Sequence, residues 1–226
     1  NGTVIPPSTS VRDLGVIVDA DLSMRSFVNN LVSCCFASLR RLRTVRRYVS
    51  APVIQTMLTS LVLSRLDYCN SLLYGIPAVH LRRLQSVLNA AARLVYNLKR
   101  YDHVTDALIC LHWLRIPERI QFKMAVLMYQ SLHGMAPSYL SCFRPAACVS
   151  SHRLLRSNSN SDSNTLQRLL VPRTRCVTFG ARAFPVAGAN MWNNLPLDIT
   201  SSPSLSIFRR RLKTFLFNFS FPGLVV

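Results

Sequence analysis

Residues 64–97, SRLDYCNSLLYGIPAVHLRRLQSVLNAAARLVYN, read as two helices meeting at a tight corner. Leu66, Cys69, Leu72 and Leu73 fall at helical spacing on the first arm, and Leu81, Leu84, Leu88, Ala91, Ala92 and Val95 on the second. Gly75 and Pro77 make the corner, because Gly takes the left-handed conformation that ends a helix and Pro cannot continue the one behind it. Ala90, Ala91 and Ala92 carry little bulk, so a neighbouring helix can approach closely and the second arm is expected at the centre of the fold.

Upstream of this hairpin, Val28, Leu31, Val32, Cys35, Leu39, Leu42 and Val45 recur every three or four residues, which predicts a helix over 26–49. Its far end carries Arg40, Arg41, Arg43, Arg46 and Arg47, five arginines in eight residues with no acidic partner nearby. Neighbouring like charges on a helix repel by a few tenths of a kcal/mol per pair, about 0.2–0.5, unless an anion lies across them. A solvated face is the alternative reading. Ser50 is a good N-cap and Pro52 suits a first turn, so a second helix starts there and carries Ile54, Met57, Leu58, Leu61 and Val62 toward Tyr68.

The charge balance points the same way as the arginine run. In 226 residues there are 27 Lys plus Arg against 9 Asp plus Glu, a formal +18, and all but three of the cations are Arg. Such a chain needs an anionic partner, and nucleic acid is the default because neutralising phosphates releases counterions. Arginine favours planar, bidentate contact with phosphate, although codon bias gives the same skew. The 50% hydrophobic content is ample for a packed core. Seven cysteines without a regular framework, and no signal peptide ahead of them, fit reduced thiols in an intracellular compartment, nuclear or cytoplasmic. No uncharged apolar run has the length of a membrane span. The first residue is Asn, as expected of a piece of something longer.

Residues 1–10 read as an extended lead-in, and 11–18, VRDLGVIV, as a short strand in which Gly15 marks a bulge or close backbone approach. Asp19 and Asp21 suit either a hard cation or a strand-end turn with a helix cap. After the hairpin, Lys99, Arg100 and Tyr101 form a basic and aromatic corner suited to a phosphate or a stacked base, or a plain surface turn. A short helix follows from Thr105 and Asp106, then a longer one from Pro117 and Glu118, stopped by Gly134 and Pro137. Residues 150–165 are a Ser- and Asn-rich linker, and 169–179 suggest one or two short strands. A helix is expected over 181–192. The last segment, SLSIFRRRLKTFLFNF, places Phe208, Leu212, Phe215 and Phe219 on one face and Arg209, Arg210 and Lys213 on the others. It either docks on the core or lies on a membrane or nucleic acid.

The expected architecture is mainly α: residues 1–25 with a short strand, a helical bundle over 26–140, a linker at 141–166, and a small α+β extension over 167–226. Few constellations suggest chemistry. His133, Cys142, Cys148 and His152 are zinc-type ligands, but their spacing fits no tight zinc knuckle. No Gly-rich phosphate loop, nucleophile elbow or HExxH is present, and no metal or cofactor is expected.

The segments LGVIVDADLSM, SRLDYCNSLLYGIP, LQSVLNAAARLVYN, LHWLRIPERIQFKMAVLMYQSLHGMAPSYL, FGARAFPVAGANMWNNLP and SLSIFRRRLKTFLF resemble, in that order, the C-terminal region of reverse transcriptases of LINE-type (non-LTR) retrotransposons of the jockey, CR1 and L2 kind. The resemblance covers nearly all of the chain. It implies that Leu14, Gly15 and Val16 lie near the primer-gripping edge, that the bundle is thumb-like, and that it holds an RNA and DNA template–primer duplex. Polymerase chemistry needs a carboxylate set that holds two metal ions, upstream of the LGV segment in that family. This chain starts after it, and Asp19 and Asp21 do not match those ligands, so no catalytic residue is expected. The cations expected on the nucleic acid are Arg40, Arg43, Arg46 and Arg47, then Arg82, Arg83 and Arg93, with Lys99 and Arg100 at the corner. The alternative is a domesticated or decayed remnant serving as a structural or protein-interaction module.

Overall fold

The computed structural model describes residues 8–140, 143, 168–176 and 179–223. It is mainly helical, with one small antiparallel sheet near the N-terminus. Two compact units divide the chain, Asn1–Ile120 and Gln121–Val226.

In the first unit, VRDLGVIV is not one strand. Leu14 and Gly15 both take positive φ (46° and 84°), a two-residue turn whose twist matches that of paired strands. The segment therefore folds back as β1 (Ser10–Asp13) paired antiparallel with β2 (Val16–Asp19), with Asp13 opposite Val16. Tyr68 holds the tip by donating its hydroxyl to the Leu14 carbonyl at 2.6 Å. The other end of the hairpin sets up α1 (Arg25–Val45), because the Asp19 carboxylate accepts the Ser26 N–H at 3.1 Å and the Ser23 hydroxyl at 3.2 Å. Asp19 is thus a helix cap.

The α1 stripe is buried as its spacing predicts: Val28, Leu31, Val32, Cys35, Leu39 and Leu42 all lie in the core. A 3₁₀ turn at Arg46–Tyr48 ends the helix, and the chain turns back at Ser50 into α2 (Ala51–Leu58). A π-helical stretch over Thr59–Leu63 continues α2 into α3 (Ser64–Asp67). The first arm of the expected helical hairpin stops there. Cys69 sits at φ 51°, a left-handed break, and Asn70–Leu73 form only a 3₁₀ turn, which leaves Leu72 half exposed. Arg119 fastens this broken end with paired bonds to the Asp67 carboxylate, 2.9 and 2.5 Å.

The second arm, α4 (Ala78–Tyr96), forms as expected, and its alanine seam works as the composition predicts. Ala91 and Ala92 are fully buried, and α1 packs extensively on α4. The two helices run parallel: Arg83 near the start of α4 bonds Asn29 near the start of α1, and the last carbonyls of α4 meet Arg46 just past the end of α1. Both C-termini therefore point to one end of the bundle. Helix α5 (Thr105–Cys110) packs on α4, and α6 (Ile116–Leu132) begins in this unit and continues into the next.

The second unit is built from the rest of α6 with α7 (Phe184–Asn193), α8 (Leu197–Thr200) and α9 (Leu205–Ser220). Tyr129 is its centre, stacked on Phe208 at 4.5 Å and on His133 at 3.8 Å, with its hydroxyl donated to the Ser202 carbonyl at 2.9 Å. Gly188 lets α7 approach α6, since a Cβ there would stand 2.4 Å from Met128 Sδ. Helix α9 buries Phe208, Leu212, Leu216 and Phe217, so it docks, and Arg209, Arg210 and Lys213 face solvent. The strands expected at 169–179 are not formed among the described residues. Leu169 is an isolated bridge position, and the Asn193 side chain bonds both its N–H and its C=O. The linker at 150–165 lies outside the described residues.

Candidate nucleic-acid interface

A groove of about 830 Å³ opens where α1 and α4 end side by side. Arg43, Arg46 and Arg47 line it from α1 and its 3₁₀ extension, Arg93 from the last turn of α4, and Lys99 and Arg100 from the loop that follows. Six of the nine expected cations therefore converge, although they come from two runs about fifty residues apart in sequence. Phe36, Ala90, Leu94 and Leu98 give the groove an apolar floor, and no Asp or Glu lines it among the described residues.

Local chemistry explains how the loop presents its charges. Asn97 takes the left-handed conformation at the end of α4 (φ 53°), and the Leu98 N–H closes onto the Arg93 carbonyl at 2.9 Å. The Asp102 carboxylate turns inward and accepts the Lys99 N–H at 2.7 Å. Arg93 reaches the Asp102 carbonyl at 3.2 Å. Lys99, Arg100 and Tyr101 are exposed on this turn. Arg93 Nε, buried in the groove wall, has no hydrogen-bond partner among the described residues.

Arg46 differs from its neighbours. Its Nε donates to the Leu94 carbonyl at 3.0 Å, one terminal nitrogen to Val95 at 2.9 Å, and the other to Val49 at 3.2 Å. The last carbonyls of a helix have no partner within it, and the C-terminus carries about half a negative charge. Arg46 meets both needs and ties α1 to α4, so its first task is structural. Arg43 and Arg47 are exposed, and the Arg47 guanidinium lies 4.7 Å from the centre of the Tyr48 ring.

The remaining expected cations lie elsewhere. Arg40 is exposed on α1 but does not line the groove. Arg82 and Arg83 are near the start of α4, toward the opposite end of the bundle, where Arg83 bonds Asn29.

Electrostatic accounting favours an anion in the groove. Six side chains bring six positive charges, two helix C-termini offset about one charge between them, and the Asp102 carboxylate beside Lys99 offsets another. About four remain unbalanced. Among the described residues, the Cys35 thiol and the His80 and His133 imidazoles have structural surroundings. Cys35 is packed in the core, where burial pushes its thiol up to about 11, far from a reactive thiolate. Burial, then the charges of Arg25 and Arg83, lowers the His80 pKa and keeps that ring neutral. His133 is stacked on Tyr129 with Nδ1 2.8 Å from the Tyr129 carbonyl. Cys142, Cys148 and His152 lie outside the described residues. No group of three or more metal-ligating side chains is found among the described residues, and no helix there is long and apolar enough to cross a membrane. Comparison with models of known families, with curated proteins and with solved structures finds no match.

Proposed function

We propose that this chain is a non-catalytic, thumb-and-extension part of a LINE-type RNA-directed DNA polymerase, which holds template–primer nucleic acid by its phosphates. The observation that carries this reading is the groove at the shared C-terminal end of α1 and α4, where Arg43, Arg46, Arg47, Arg93, Lys99 and Arg100 gather without a lining carboxylate. The ordered sequence resemblance supplies the kind of nucleic acid. The role is one of holding: Asp19 caps α1 and Asp21 accepts the Ser23 N–H, so both acids have structural work.

The test is competition. A fluorescein-labelled RNA–DNA hybrid bound to the protein is challenged with unlabelled hybrid and with heparin at equal charge concentration, and anisotropy is followed. Preferential displacement by hybrid supports a groove shaped for nucleic acid. Displacement by heparin at the same or lower concentration contradicts it and makes the chain a generic polycation.

A further inference from the structure

Phosphate contacts need charge alone, yet the groove is bordered by more than charge. Two of its cations are paired with exposed aromatic rings. Arg47 covers one face of Tyr48, which is 72% exposed, and Lys99 lies 5.8 Å from the ring centre of Tyr101, which is 78% exposed. Both rings belong to short, conformationally fixed segments: Tyr48 closes a 3₁₀ turn, and Tyr101 stands in the loop pinned by Asp102. A tyrosine that is only a surface residue gains nothing from such exposure, since its ring is large and apolar. A ring with a cation on one side still offers its other face, and a nucleobase is a flat partner for it. The floor made by Phe36, Ala90, Leu94 and Leu98 is likewise useless to a phosphate and suited to sugars and base edges.

We infer that the groove takes unpaired strand, its phosphates on Arg43, Arg47, Lys99 and Arg100 and its bases stacked on Tyr48 and Tyr101. The inference rests on the holding role proposed above and names the part of the substrate that enters: the single-stranded segment next to a duplex. A paired duplex keeps its bases stacked on each other and has no face to give the tyrosines. Sequence preference in this strand is weak, because every base has a π face.

Anisotropy titrations of the full chain with a short labelled oligo(dT) and with a blunt duplex of equal phosphate number decide the matter. Replacing both rings, Tyr48→Ala with Tyr101→Ala, is expected to weaken oligo(dT) binding by roughly 25-fold or more, from about fivefold or more per stacked base, and to change duplex binding by less than about twofold. Tyr48→Phe with Tyr101→Phe is expected to restore the oligo(dT) affinity, since stacking needs the ring and not the hydroxyl. Both rings are exposed, so the variants keep the fold, and a circular-dichroism melt confirms it. Unchanged oligo(dT) affinity in the alanine variant overturns the inference, as does an equal loss on duplex. A wild-type chain that binds duplex and not oligo(dT) overturns it while leaving the holding role intact. A chain that binds neither overturns both.

Discussion

Replacing Arg46 by Ala tests whether an arginine in a basic cluster belongs to the ligand or to the fold. Arg46 donates three hydrogen bonds to main-chain carbonyls, two of them on the last turn of α4. Charge-assisted bonds contribute about 1.5–3 kcal/mol each, which bounds the loss near 4.5–9 kcal/mol. The groove is open to water, and water re-bonds part of what is freed, so we expect a loss of about 3 kcal/mol. In a chain of this size that lowers Tm by about 6–12 °C. Arg46→Lys keeps the charge at the helix terminus but loses the planar fork, and recovers about 1 kcal/mol. Arg43→Ala and Arg47→Ala, both exposed, stay within about 0.5 kcal/mol of wild type. The assay is thermal melting followed by circular dichroism, with nucleic-acid affinity measured well below the melt. An Arg46→Ala protein that melts within about 2 °C of wild type refutes the clamp. So does an equal loss from Arg43→Ala or Arg47→Ala.

Two further outcomes follow from the packing. Tyr129→Phe leaves the stack on Phe208 but orphans the buried Ser202 carbonyl, and should cost about 1–2 kcal/mol in urea unfolding; a neutral change would mean that the bond carries no weight. Asp19 has its pKa lowered chiefly by hydrogen bonding from Ser26, against a burial effect that raises it. Its contribution to stability is therefore present above the ordinary carboxylate pKa of about 3.9 and lost as pH falls through the lower folded value. Asp19→Asn should flatten that acid limb of the stability curve, and an unaltered limb would assign it to other carboxylates.

The helical stripes were legible because burial depends on spacing: the α1 stripe and the seam at Ala91 and Ala92 lie where periodicity puts them. Turns that use left-handed residues other than Gly were not. Leu14 and Cys69 are poor candidates for positive φ, and each is held there by tertiary bonds, Tyr68 to the Leu14 carbonyl and Arg119 to Asp67 beside the Cys69 break. Periodicity sees only that Leu66, Cys69 and Leu72 are three apart. At the groove, the arginine run and the Lys99–Tyr101 corner could each be read locally, but not their meeting, which depends on α1 and α4 being parallel. The tie from Arg46 to α4 had no local signal, since the two α4 carbonyls it holds are 48 and 49 residues away.

The central claim is that nucleic acid is bound through the groove cations, and a salt series measures it most directly. With about four unbalanced charges there, log affinity for an RNA–DNA hybrid should fall against log salt with a slope of about −3 to −4. Changing Arg43, Arg47, Lys99 and Arg100 together to Glu, with Arg46 left to hold α4, should remove nearly all of that slope and abolish binding at physiological salt. A slope unchanged by the four substitutions would contradict the claim and place the nucleic acid, if bound at all, on another surface.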